Sequence, residues 1–238
     1  MGSCKIERNK PTMPSHVSTG SEVAVCEFDV ICEYSDLMTG FVGHTGLATS
    51  SATFPLNGVH IVDMGPPLRP AADMSADVVC TSSLNVGEIA KIKEFVERHR
   101  GEHEAVRIKG PKGLLEAIPQ IYCVHPHQTE YRDQLSGDLV RMRFSCAGFV
   151  FEAYRSARLV LFDPATLPKV DLQRVKAAYP GFAKKLDDPD FRQKLGLEGD
   201  GPWPIMLCGY LANAMNRDAL AIRSAHYLPQ AGHEFFPP

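Results

Sequence analysis

Cys146 stands where an extended run, Leu139 to Phe144, meets a helix that begins near Ala147. A thiol reacts through its thiolate, and the N–H groups and dipole at a helix start favour that charge. The small neighbours Ala147 and Gly148 leave room for a substrate to approach the sulfur. Such a nucleophile also needs an imidazole to take its proton and a third polar group to orient that imidazole. Of nine histidines, His44 heads a small-residue strand after Gly43, where it can project into a cleft. His60 lies on the next strand, and antiparallel pairing of the two would bring His60 or Asp63 to His44.

Other chemistry competes with this reading. In Cys123-Val124-His125-Pro126-His127, alternate residues of an extended strand share a face and offer one sulfur and two nitrogens to zinc. His226 and His233 are the rival partners for Cys146. Cys26 and Cys32 read as core residues, the Asp187-Asp188-Pro189-Asp190 run as a solvated turn, and the methionines as core fillers. Gly110-Pro111-Lys112-Gly113 lacks the spacing and following hydroxyl of a phosphate loop.

The elements that must hold these residues follow from pattern. Residues 22–26, 28–32, 44–49 and 59–63 read as strands, with a turn at Asn57-Gly58 whose residues tolerate positive φ. Ser35 to Gly43 reads as a short helix or loop, and Pro66, Pro67 and Pro70 end regular structure. Asn85 caps a helix with Glu88 three residues on, and Ile89, Ile92, Phe95 and Val96 form its apolar face up to Gly101. Ala105 to Ile108 reads as a short strand, and Phe149, Val150, Ala153, Tyr154 and Ala157 repeat at helical spacing behind Cys146. The proline-rich stretch 163–204 reads as an insertion with short helices such as Asp171 to Ala178. A last apolar helix, Met206 to Met215, precedes a strand-like piece, Ala219 to Tyr227.

Composition bounds the rest. With 238 residues, 44% hydrophobic and 22% charged, the chain is neither collagen-like, coiled-coil nor disordered. It fits a flexible arm over 1–20 and a single domain over 21–238. A net charge of -3, from 25 basic and 28 acidic residues, gives no nucleic-acid or anionic-membrane footprint. No run reaches the roughly 18 apolar residues of a membrane-spanning helix. The polar start has no signal-peptide core, and seven cysteines at irregular spacing are no secreted disulfide framework, so a cytoplasmic location is expected.

Ser145 to Ala157 (SCAGFVFEAYRSA) resembles the nucleophile helix of the NlpC/P60 papain-like superfamily. Phe28-Asp29-Val30-Ile31 is similar to the opening strand of that superfamily's circularly permuted branch, which includes the lecithin retinol acyltransferase-like proteins. Gly43-His44-Thr45-Gly46-Leu47-Ala48 resembles its histidine strand, and the cysteine helix follows about a hundred residues later, in the permuted order. The motifs cover roughly residues 22–65 and 139–160. Gly43 replaces a common Ser, and Gly148 a common Glu. The resemblance implies an α+β, permuted papain-like fold with an antiparallel sheet packed on the cysteine-bearing helix. It implies Cys146 as nucleophile, His44 as general base and His60 as the orienting residue. The activity implied is cysteine-dependent hydrolysis of a peptide or amide through a Cys146 thioester, with no metal or other cofactor. The alternatives are thiol acyl transfer on lipid or amide substrates, or a papain-like ligand-binding module without chemistry.

Overall fold

The computed structural model describes residues 15–16, 22–55, 58–64, 68–81, 83–108, 120–122, 124, 129–137 and 139–236. Eight strands come first: β1 (Ser15–His16), β2 (Glu22–Val25), β3 (Val30–Asp36), β4 (Phe41–Ala48), β5 (Ala52–Pro55), β6 (Val59–Met64), β7 (Leu68–Met74) and β8 (Val78–Cys80). Helix α1 (Val86–Ile108) follows, then β9 (Gln120–Tyr122), β10 (Thr129–Arg132) and β11 (Leu139–Phe144). β11 runs directly into α2 (Cys146–Ser156). The remainder holds β12 (Lys169–Val170), α3 (Leu172–Ala178), α4 (Pro189–Lys194), β13 (Trp203–Pro204), α5 (Cys208–Met215) and α6 (Ala219–Ser224).

The result is a mixed α+β chain around a six-stranded sheet of order β1-β8-β3-β4-β6-β7, in which every neighbouring pair is antiparallel. Side-chain alternation along the strands gives this sheet two apolar sets. Val30, Cys32, Leu47, Val62 and Val78 join the main core with α2 and α5. Their alternates Ile31, Ala48, Ile61 and Val79 close a smaller cluster with Val25, Val59 and Met74.

Several expectations change at this level. Pro70 does not end regular structure but sits within β7. The reason is topological: β7 is the sheet edge, where a residue without an N–H leaves no ladder bond broken toward a second neighbour. Ser35 and Asp36 belong to β3 rather than a helix. Of the expected arm, Ser15–His16 pairs with Val78 and Val79, and the rest of 1–21 lies outside the described residues.

Helix α1 begins as its sequence indicates. The Asn85 N–H donates to Glu88 Oε2 at 2.8 Å and the Glu88 N–H to Asn85 Oδ1 at 3.0 Å, a reciprocal capping box. Ile92 and Phe95 are buried, with Ile89 and Val96 partly so. The helix continues through Gly101 to Ile108, so residues 105–108 are helical and not a strand.

The 163–204 stretch shares the main core, contributing Leu167, Val170, Val175, Leu186, Leu195 and Trp203. Asp171 caps α3 by accepting the Arg174 N–H at 2.8 Å. Residues 219–224 form α6 rather than a strand, because Asp218 Oδ1 accepts the N–H groups of Leu220 (3.0 Å) and Ala221 (2.8 Å). Beyond it the tail folds back on β4: the Phe236 N–H donates to Gly40 O at 2.8 Å, and Glu234 O accepts from Val42 N.

Gly209, the second residue of α5, lies against the Glu234 backbone so closely that a Cβ would overlap its carbonyl. Gly209→Ala is therefore expected to part α5 from the tail, lowering stability by about 3 kcal/mol and Tm by roughly 6–12 °C. A melt unchanged within a degree or two would contradict this packing. Among the described residues no helix is long and apolar enough to cross a membrane.

Candidate active site

Ser145 closes the extended β11 and starts α2: its Oγ accepts the Gly148 N–H at 2.9 Å and its carbonyl accepts the Phe149 N–H at 2.9 Å. This cap makes Cys146 the first residue of the helix, with its thiol at the positive end of the dipole. All residues from Cys146 to Tyr154 are buried, so the helix start is held rigidly. The Tyr154 hydroxyl donates to Phe28 O at 3.0 Å and ties the helix to the loop entering β3. Cys146 itself is only 1% exposed.

His44 comes from β4, opposite Glu33 of β3. Its neighbours on the strand explain its freedom: a side chain at Gly43 would collide with Ser35, and a Cβ at Gly46 would stand 2.5 Å from Ile61 Cδ1. His44 hydrogen-bonds the Cys146 thiol. Its Nε2 hydrogen-bonds Asp63 Oδ2, which leaves Nδ1 as the ring nitrogen for the sulfur. Asp63 is fully buried and is gripped from the other side by Arg69, whose Nε donates to Oδ1 at 2.8 Å and whose Nη2 donates to Oδ2. Arg69 Nη2 lies 3.3 Å from His44 Nε2. One buried carboxylate thus bridges an imidazole and a guanidinium.

His60 is not the residue that orients His44. The register pairs Leu47 with Val62 and Ala48 with Ile61. Thr49 then faces His60, whose carbonyl accepts the Thr49 N–H at 3.0 Å. This places His60 opposite a residue five positions from His44, about 17 Å along the strand. His60 is exposed and its Nδ1 meets Asp73 of the edge strand at 2.5 Å. Asp63, three residues further along β6, takes the position that the sequence left open between the two.

The charges follow from these contacts. Burial opposes a charge on His44, but the Asp63 and Cys146 hydrogen bonds and the negative charge of both together raise it to about 10. Burial would also raise the Asp63 carboxyl, yet the hydrogen bonds and charges of His44 and Arg69 hold it below the usual range. At neutral pH the arrangement is an imidazolium held between two acidic partners. Glu33 shifts upward, driven by burial against the pull of His44.

A labelled-histidine NMR titration should accordingly find His44 still protonated at pH 8, where an unperturbed imidazole of pKa about 6.5 is neutral. In Cys146→Ala the sulfur's hydrogen bond and charge are gone, so the titration of His44 should move to lower pH. A His44 that titrates near 6.5 in the intact protein would refute the ion pair.

A cleft of about 420 Å³ reaches His44. One wall is the β3–β4 hairpin, with Glu33, Tyr34, Ser35 and Gly43; the other is the end of α3 and the turn after it, residues 178–182. The 163–204 stretch therefore borders the site. A second thiol, Cys208, neighbours Cys146, with the sulfurs 3.4 Å apart.

The rival residues stand elsewhere. The His233 Nδ1 is engaged by the Tyr227 hydroxyl at 2.5 Å, and His226 is exposed. Cys123, His125 and His127 lie outside the described residues. Among the described residues no cluster of three His, Cys, Asp or Glu is placed to hold a metal ion.

Sequence reasoning missed Arg69 and Cys208. Arg69 falls in a stretch that its prolines mark as irregular, and Cys208 opens an apolar helix with no polar signal. Only their types, a cation two residues past a proline pair and a thiol at a helix start, could have drawn attention. No family model matches the chain, and comparison with curated proteins and with solved structures finds no similar one.

Proposed function

We propose that this chain is a cysteine-dependent acyl hydrolase, an amidase or peptidase, of the permuted papain-like kind. The observation that carries the reading is the series Cys146–His44–Asp63: a thiol at a helix start, hydrogen-bonded to an imidazole whose far nitrogen meets a buried carboxylate. Its order along the chain, histidine strand before cysteine helix, agrees with the resemblance of residues 22–65 and 139–160 to that branch.

The chemistry follows from the charges. Because His44 is already protonated at neutral pH, it has taken the thiol's proton before substrate arrives, and its task in acylation is that of an acid. The Cys146 sulfur attacks the substrate carbonyl, and the oxyanion develops at the positive end of α2, where the first-turn N–H groups point. Collapse of this adduct forms the Cys146 thioester while His44 gives its proton to the leaving amine or alkoxide. Water, deprotonated by the now neutral His44, then releases the acid and restores the pair. Asp63 keeps the imidazole in the tautomer and orientation that point Nδ1 at the sulfur. Arg69 acts through Asp63, keeping that carboxylate ionised. Tyr34, Tyr179 and Phe182 border the cleft and suit an apolar or planar group on the acyl donor.

The test is covalent. Wild-type protein is incubated with a panel of acyl esters, acyl amides and short peptides, quenched in acid and weighed intact. An adduct of the acyl mass on Cys146, labile to hydroxylamine, with free acid accumulating on longer incubation, is the expected result. Product on an added amine or alcohol, in place of free acid, would assign the thioester to transfer instead. Folded protein that forms neither adduct nor product with the whole panel would overturn the reading and leave the cleft as a binding site.

A further inference from the structure

Cys208 is the first residue of α5, as Cys146 is of α2, so two helix starts present thiols to one another. Their sulfurs are 3.4 Å apart, and neither takes part in a disulfide. A disulfide needs the sulfurs at about 2.05 Å, so closure requires an approach of only about 1.4 Å. Hydrolysis through Cys146 does not use Cys208, and an apolar residue would fill its place equally well. Cys208 is 5% exposed, and the residues that line the cleft at His44 do not include it.

We propose that Cys146 and Cys208 form an oxidation site, at which a hydroperoxide converts Cys146 to a sulfenic acid and Cys208 closes a disulfide with it. The consequence for activity rests on the reading of Cys146 as the nucleophile; the site itself does not. In the first step the Cys146 thiolate attacks one peroxide oxygen, the O–O bond breaks, and His44 supplies the proton that lets the other oxygen leave as water (or, for an organic hydroperoxide, as an alcohol). In the second step the Cys208 sulfur attacks the sulfenic sulfur, the S–O bond breaks, and the hydroxyl leaves with the Cys208 proton as a second water. Two electrons pass from the two thiols to the peroxide.

The environment orders these steps. The hydrogen bond to Cys146, burial and the Cys146 charge all push the Cys208 thiol up, so Cys208 stays protonated in the first step. Once Cys146 carries a neutral hydroxyl, its charge no longer holds the Cys208 proton, and Cys208 becomes the attacking group. A peroxide is small enough to suit a site in which both sulfurs are buried. The disulfide would spare Cys146 from irreversible oxidation to sulfinic acid.

The test uses the full chain, treated with a few equivalents of hydrogen peroxide and weighed intact, then digested without reduction. The expected result is a loss of about 2 Da, a peptide pair joining Cys146 to Cys208, and reversal by dithiothreitol. Cys208→Ser should instead gain about 32 Da on Cys146, irreversibly. Wild-type protein that gains oxygen on Cys146 without cross-linking, or that joins Cys32 to Cys80 and leaves Cys146 reduced, would overturn the proposal even if the Cys208 variant fails to fold. These readouts need no substrate. A disulfide that forms in a protein inactive on every acyl donor would count against the hydrolase reading alone.

Discussion

A Cys146→Ala protein is expected to fold normally and to lose acyl hydrolysis by more than about 10⁴-fold, because the thioester step has no other nucleophile of the same reach. The expectation of normal folding comes from size. Cys146 is buried at a helix start whose cap, Ser145, is untouched by the change, and removal of one sulfur leaves a small space beside Cys208. The cost should stay within about 1–2 kcal/mol, visible as a modest shift in the melt. Cys146→Ser should be equally inactive: a hydroxyl beside His44 does not surrender its proton at neutral pH, so no ion pair forms. Comparison of circular dichroism and turnover for both variants separates a chemical loss from a structural one. Retained turnover in either variant would move the chemistry to another residue.

Asp63→Asn carries the second large effect. Asparagine keeps the shape and can still accept from His44 Nε2, but it removes the negative charge between two cations. Arg69 Nη2 and His44 Nε2 are 3.3 Å apart, and two unit charges near 4 Å repel by about 4 kcal/mol at an effective dielectric of 20. The half-exposed Arg69 can relieve part of this by turning to water. The protonated state of His44 is disfavoured by the remainder, so its titration should fall by about 1–2 units and kcat/KM by roughly 10²- to 10³-fold. Stability should drop by about 1–3 kcal/mol through the lost charge-assisted bonds. Adding Arg69→Ala to Asp63→Asn should return part of the His44 shift, because the repelling cation is gone. A double variant with the same His44 titration as Asp63→Asn would show that Arg69 does not act on the pair through charge.

What the sequence revealed and what it hid divide along local and long-range lines. The start of α2 was legible because Leu139–Phe144, Ser145 and the apolar repeat from Phe149 are all within one short stretch. The Asn85–Glu88 box was legible for the same reason, since it is a contact three residues long. The choice between His60 and Asp63 was not, because it turns on strand register, and the two stand three residues apart on β6 and so on opposite faces of it. Pro70 and Arg69 were hidden together: whether a proline breaks a strand depends on whether that strand is an edge, and edges are a property of the whole sheet. Asp218, which caps α6, is a local signal that reading Ala219 to Tyr227 as strand-like passes over. Cys208 meets Cys146 across 62 residues of chain, and the wall at 178–182 reaches His44 from a stretch that reads as an insertion. No local pattern encodes either contact.

The central claim is that Cys146 and His44 form a reactive ion pair, and the rates of alkylation by iodoacetamide at pH 6 test it most directly. Exposure and reactivity make opposite forecasts here. Cys26 is partly exposed and Cys146 is 1% exposed, so access alone would have Cys26 react first. An ordinary thiol of pKa about 8.5 is almost wholly protonated at pH 6, whereas a thiolate held by an imidazolium is not. Peptide-resolved rates should show Cys146 alkylated about 100-fold faster than Cys26, with the advantage lost in His44→Gln. Cys26 reacting faster than Cys146 in the wild-type protein, or a Cys146 rate indifferent to His44→Gln, would contradict the ion pair and the function built on it.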